Sequence, residues 1–90
     1  MNDKHKAQFK EGDILVGQYR DRSAAGFFDV LRHQRIYVLK YGTLLMWVRM
    51  LYERVEDLQP GKKHLFHPSA RTGAECKILT SRVKHFEKIN

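Results

Sequence analysis

Four short apolar segments, set off by breaks at residues 21–26, 41–43, 59–64 and 67–73, constrain this chain more than any other feature. Each has the length of a strand or a short helix, and both prolines, Pro60 and Pro68, fall inside the breaks. None approaches the roughly 20 apolar residues of a membrane-spanning helix, so no membrane partner is expected. With 90 residues in all, the chain has room for one small domain. Hydrophobic residues make up 42%, enough for a core and too much for wholesale disorder. The single cysteine, Cys76, excludes an intrachain disulfide. The opening Met-Asn-Asp-Lys-His-Lys carries no apolar stretch of the secretory kind, which makes the cytoplasm the expected compartment. Residues 1–8 read as a flexible basic N-terminus and residues 9–90 as the domain.

The segments favour strands. Ile14, Leu15, Val16 and Tyr19 follow a Gly-Asp turn and are rich in β-branched and aromatic side chains. Residues 26–33 and 35–41 alternate with period two, and His33-Gln34 between them has the length of a hairpin turn. In the second run Ile36, Val38 and Lys40 take one side, and Tyr37, Leu39 and Tyr41 the other. Residues 44–58 are ambiguous. Leu44, Val48, Leu51, Val55 and Leu58 recur at helical spacing, while Met46, Val48, Met50 and Tyr52 would share one face of a strand. A strand over 45–52 is preferred because it covers an open sheet edge, with a helix as the alternative. Glu75–Leu79 reads as a short strand, and Ser81 as the cap of a short helix or 3₁₀ turn carrying Val83, Phe86 and Ile89. The expected fold is mainly β: a small SH3-like barrel or a rolled antiparallel sheet of about five strands, with a short C-terminal helix or 3₁₀ turn.

The stretch Phe9-Lys-Glu-Gly-Asp-Ile-Leu-Val16 resembles the opening of many SH3-like barrels, where a Gly-Asp turn launches the first strand. Gly26-Phe-Phe-Asp-Val-Leu31 and Met46-Trp-Val-Arg49 look like the next strands of small phage-encoded proteins of that type. The resemblance covers about half the chain. It implies a barrel and a binding role toward nucleic acid or a host protein, and it carries over no catalytic residues.

Charge points the same way. The net charge is +7, and residues 61–90 hold seven lysines and arginines against two glutamates. Such a surface gains free energy by displacing the counterions condensed on a polyanion. Lys62, Lys63, Lys77, Arg82 and Lys84 are the expected phosphate contacts in that region. Two loops, Arg22-Ser-Ala-Ala-Gly26 and Ser69-Ala-Arg-Thr-Gly73, each join a hydroxyl, an arginine and a closing glycine. That combination suits an anion, though also an ordinary turn, and it nominates Arg22, Ser23, Arg71 and Thr72. Tyr19, Tyr37 and Tyr41, each near a basic residue, are the candidates for base stacking, whereas Trp47 and Phe28 are assigned to the core.

No catalytic set is expected. Glu53, Glu56 and Asp57 read as salt-bridge partners rather than metal-holding carboxylates. His64-Leu-Phe-His67 with Cys76 and His85 lacks the spacing of a zinc site, so neither metal nor cofactor is expected. The function inferred from sequence is a non-enzymatic binding protein for nucleic acid or another polyanion. The alternatives are an effector docking on an acidic host protein and a protein sequestering a small phosphorylated nucleotide. Homodimerisation is compatible with each.

Overall fold

The computed structural model describes residues 8–23, 26–61, 63 and 65–90; residues 1–7, Lys62 and His64 lie outside the described residues, with Ala24 and Ala25. The fold is mainly β. A turn at Lys10–Asp13 starts it, with Gly12 at φ +92° and the Asp13 carboxylate accepting from the Lys10 N–H at 3.0 Å. Only glycine takes that backbone angle without strain, which is why Gly-Asp launches the strand.

Strand β1 (Ile14–Arg22) pairs along its length with β2 (Asp29–Lys40), and β2 with β3 (Leu45–Asp57), all antiparallel. The far edge of β3 carries two short strands. β5 (Glu75–Leu79) runs opposite Leu45–Arg49, and β4 (Phe66–Pro68) opposite Arg54–Glu56. Helix α1 (Thr80–Val83) then contacts both β5 and β1, and β6 (Glu87–Lys88) pairs with Leu15 and Val16. The result is a rolled antiparallel sheet in the order β4-β3-β2-β1-β6, its two ends bridged by α1. The Asn90 side chain fastens the C-terminus to the start of β1. It accepts from the Ile14 N–H at 2.9 Å and donates to the Gly12 carbonyl at 2.9 Å.

Leu15, Ile36, Val38, Met46, Val48, Met50, Ile78, Val83 and Phe86 fill the roll, with Phe9 closing one end. Each such side chain contributes about 1.5–3 kcal/mol by leaving water. Phe86 lies directly over Gly17, where a Cβ would overlap its ring. Gly17→Ala must therefore displace Phe86 or bend β1. It is expected to destabilise the protein by about 1–3 kcal/mol, read as a shift in denaturation midpoint.

Several sequence expectations are corrected here. His33-Gln34 is not a turn: β2 runs straight through it, and the hairpin lies at residues 23–28, where the Ser23 N–H donates to the Phe28 carbonyl at 2.9 Å. Gln34 is polar because it enters a buried polar network, and a buried polar residue inside a strand mimics turn composition. Residues 45–57 form a strand, so the helical alternative falls. Ser81 sits inside α1, whose N-cap is Leu79 with no side-chain cap bond. Two bulges redirect side chains. Leu39 and Leu51 have no direct partner in the β2–β3 ladder, so each strand gains a residue and its faces exchange. Beyond Leu51, Tyr52 turns outward and Glu53 inward. Beyond Leu39, Lys40 is exposed and Tyr41 packs on the core, so Tyr37 and Tyr41 do not share a face. Trp47, expected in the core, is 37% exposed on the outer face of β3, and Phe28 is half-buried.

Candidate nucleic-acid and anion interface

The bulge at Leu51 places the Glu53 side chain wholly inside the protein. A lone buried carboxylate is costly, so its partners must satisfy it. Arg71 grips it with both edges of its fork, Nε at 3.0 Å and Nη2 at 2.5 Å. The Ser69 hydroxyl donates to it, Gln34 Nε2 donates at 2.5 Å, and Arg32 Nη1 lies at 3.4 Å. The backbone joins in: the Glu53 N–H donates to the Thr72 hydroxyl at 3.2 Å, and the Ser69 N–H to the Glu53 carbonyl at 3.2 Å. Burial pushes the Glu53 carboxyl up, but the bonds from Arg71, Ser69 and Gln34 together outweigh it and hold it at about 2. The hydrogen bond to Glu53 raises Arg71 above its already high value, against its own burial.

The Ser69–Gly73 loop thus engages an anion that belongs to the chain itself. It is laid along β3, with the Gly73 N–H donating to the Met50 carbonyl at 2.6 Å and Gly73 at φ +88°. The other acidic residues of the middle segment are also paired, Glu56 with His33 at 3.1 Å and Asp57 with His67 at 2.9 Å. Glu53 is ion-paired with arginine, as expected, while the contacts of Glu56 and Asp57 with His33 and His67 are ionic only when the histidine is protonated.

The remaining sequence candidates divide into groups. Tyr19, Arg71, Lys77 and Arg82 come together with Asp21 and Arg32 around a cavity of about 210 Å³. Asp21 accepts from Arg32 Nε at 2.9 Å and lies 3.4 Å from Arg82 Nη1. Burial raises its carboxyl, while bonds from Arg32 and the Arg22 N–H lower it by more. Arg82 also lies 5.6 Å from the centre of the Tyr19 ring. Arg22 stands apart at the β1–β2 hairpin, 3.8 Å from Asp29, with Ser23 beside it. That hairpin begins five residues along β2 from Gln34, roughly 16 Å at 3.3 Å per residue, so the two arginine-glycine loops do not form one site. Thr72 is bonded to the Glu53 backbone, Lys63 and Lys84 are exposed outside the strands, and Lys62 lies outside the described residues.

The outer face of the sheet gathers a further set. Register places Tyr37 beside Arg49, Arg35 beside Tyr52, Lys40 beside Trp47, and Trp47 beside Lys77. Arg54 lies 4.1 Å over the centre of the Phe66 ring, and Lys77 5.5 Å over that of Trp47. Tyr52 is 46% exposed and Phe66 48%. Carboxylates elsewhere are taken by other cations: Asp29 by Arg20 and Arg22, Asp21 and Glu53 by Arg32, Arg71 and Arg82, Glu75 by Arg49, Asp13 by Lys88. Arg35, Lys40, Arg54 and Lys77 have no carboxylate partner among the described residues. A trough of about 930 Å³ crosses the same face, lined by Val16, Gln18, His33, Arg35, Tyr52 and His85 among others.

Of the three tyrosines nominated for stacking, Tyr37 is on this face, Tyr19 packs against Phe86 with ring centres 6.4 Å apart, and Tyr41 packs on the core. Arg35, Trp47, Tyr52 and Arg54 were not nominated. Their signal was the pairing of ring and cation two residues apart, Arg35 with Tyr37 and Tyr52 with Arg54, which puts both on one side of a strand. Among the described residues no helix is long and apolar enough to cross a membrane. No family model matches the chain, nor does any curated protein or solved structure.

Proposed function

We propose that the chain is a non-enzymatic cytoplasmic protein that binds nucleic acid, holding a single strand across the outer face of β2, β3, β4 and β5. The observation that carries this reading is the set of unneutralised cations, Arg35, Lys40, Arg54 and Lys77, interleaved with the exposed rings of Trp47, Tyr52 and Phe66. Bases stack on such rings while the cations follow the phosphates, a mode that tolerates any sequence. Little base-edge readout is called for, so affinity comes mainly from counterion release.

The test is a fluorescence-anisotropy titration of labelled single- and double-stranded DNA and RNA at two salt concentrations. The reading expects tighter binding of single strands, weakening steeply with salt. Equal affinity for duplex and single strand would remove the stacking half of the proposal, and no binding at low salt would remove all of it. A second reading, docking on an acidic host protein as for a phage-encoded effector, draws on the exposed Leu44, Leu45 and Leu79 beside Trp47 and Lys77. Co-purification of a protein partner insensitive to nuclease would favour it.

A further inference from the structure

We propose that the cleft between β1, the Ser69–Gly73 loop, β5 and α1 is a discrete binding site for a phosphate group. Of the five charged side chains lining its cavity of about 210 Å³, four are cations, Arg32, Arg71, Lys77 and Arg82, and one is the carboxylate Asp21. Glu53 sits behind the wall with no exposed side-chain surface. Counting Glu53 as well, the cluster remains two charges short of neutrality. Four cations around one small cavity repel one another, and a bound dianion relieves that repulsion.

The guanidinium groups are also held in place before any ligand arrives. Glu53 fixes Arg71 and Arg32, and Asp21 fixes Arg32 and Arg82. Fixing the forks in advance lowers the ordering cost of binding, and arginine forks match phosphate oxygens. The Tyr19 hydroxyl accepts from Gln34 Nε2 at 3.3 Å, which leaves its own proton free to donate to a phosphate oxygen. This site shares Lys77 with the outer sheet face, but its other charged groups, Asp21, Arg32, Arg71 and Arg82, belong to the cleft, so it stands whether or not a nucleic-acid strand binds that face.

The shared chemistry is a phosphate group, carried either by free phosphate or by a nucleotide. Side-chain and backbone NMR shifts would be followed during titration with sodium phosphate, against sodium chloride at matched ionic strength. Saturable shifts centred on Tyr19, Arg32, Lys77 and Arg82 are the expected result. Arg82→Gln, at an exposed position, should keep the wild-type spectrum elsewhere and weaken phosphate binding about tenfold or more, the loss of one charge-assisted bond. Lys84→Gln should leave affinity within about twofold, since that residue lies outside the cavity. A parallel titration with adenosine monophosphate and adenosine separates the sources. Tighter binding of the monophosphate than of phosphate assigns a nucleotide, and equal binding assigns free phosphate. Removing Arg35 and Arg54 from the outer face should leave these shifts intact, which keeps a failure of this site distinct from a failure of strand binding. Absence of saturable shifts with either phosphate probe, or an equal loss in Arg82→Gln and Lys84→Gln, would overturn the assignment.

Discussion

Glu53→Ala is expected to remove a large fraction of the protein's stability. The substitution strips Arg71 of its bidentate partner and removes one of the two carboxylates beside Arg32. Breaking a buried ion pair from one side costs about 3–5 kcal/mol, because the remaining charge stays desolvated. The whole stability of a 90-residue domain is of the order of 5–13 kcal/mol. The Ser69–Gly73 loop would also lose its anchor, since Ser69 and Arg71 both converge on that carboxylate. A paired replacement, Glu53→Met with Arg71→Leu, removes both charges and should recover a large part of the loss, as apolar substitutes for buried pairs commonly do. Urea denaturation of the three proteins checks both statements. A Glu53→Ala midpoint within error of wild type would mean that the network contributes nothing.

The same carboxylate gives stability a pH dependence of defined sign. Its folded value of about 2 lies below the 4.5 of a free glutamate. The unfolded chain therefore binds a proton first as pH falls, and the stabilisation is complete above about 4.5 and is lost between there and about 2. Asp21 is shifted in the same direction and reinforces the trend. Denaturation midpoints should thus fall across this acid window in wild type, and less steeply in the double replacement.

The second large effect concerns binding. Arg35→Ala, Arg54→Ala and Lys77→Ala combined should cut single-strand affinity on the order of a hundredfold at low salt and reduce the salt slope by about 2, near 0.7 for each phosphate contact removed. Trp47→Ala alone should cost about 1–3 kcal/mol of binding, the usual worth of one stacked base. Neither change touches the buried core, since all four side chains are exposed. The control is Lys10→Ala, Lys63→Ala and Lys84→Ala, which removes the same charge from positions outside the strands. Equal losses in the two triple variants would mean that binding follows net charge alone, with no face involved.

How far these residues could be read in advance depends on what each signal measures. The strand at Glu75–Leu79 and the turn before Ile14 were legible because local composition decides them: a short β-rich run in one case, a positive-φ glycine in the other. The rolled sheet followed from strand count and spacing. The bulges at Leu39 and Leu51 were not legible, because a bulge inserts one residue without changing composition, yet each reverses which side chains face out. Tyr41, Trp47 and Tyr52 were misplaced for that reason, or because large rings default to the core. The residue types of 69–73 suit an anion as well as an ordinary turn, and in the structure Ser69 and Arg71 hold a carboxylate of the chain itself. That the anion is Glu53 depends on a contact 18 residues away from Arg71, which no local pattern encodes. Arg32 in the cleft and Arg35 on the outer face came from a segment read partly as a turn, so their roles emerged only when β2 proved continuous.

The most direct test of strand binding on the outer face uses the chain's only tryptophan. Trp47 stands on that face between Lys40 and Lys77. Its emission would be followed while oligothymidylate is added at low salt and salt is then raised. Stacking on the ring predicts saturable quenching that reverses with salt and is weakened in the Arg35, Arg54 and Lys77 triple variant. Binding seen by anisotropy with Trp47 emission unchanged would place the strand elsewhere and contradict the account.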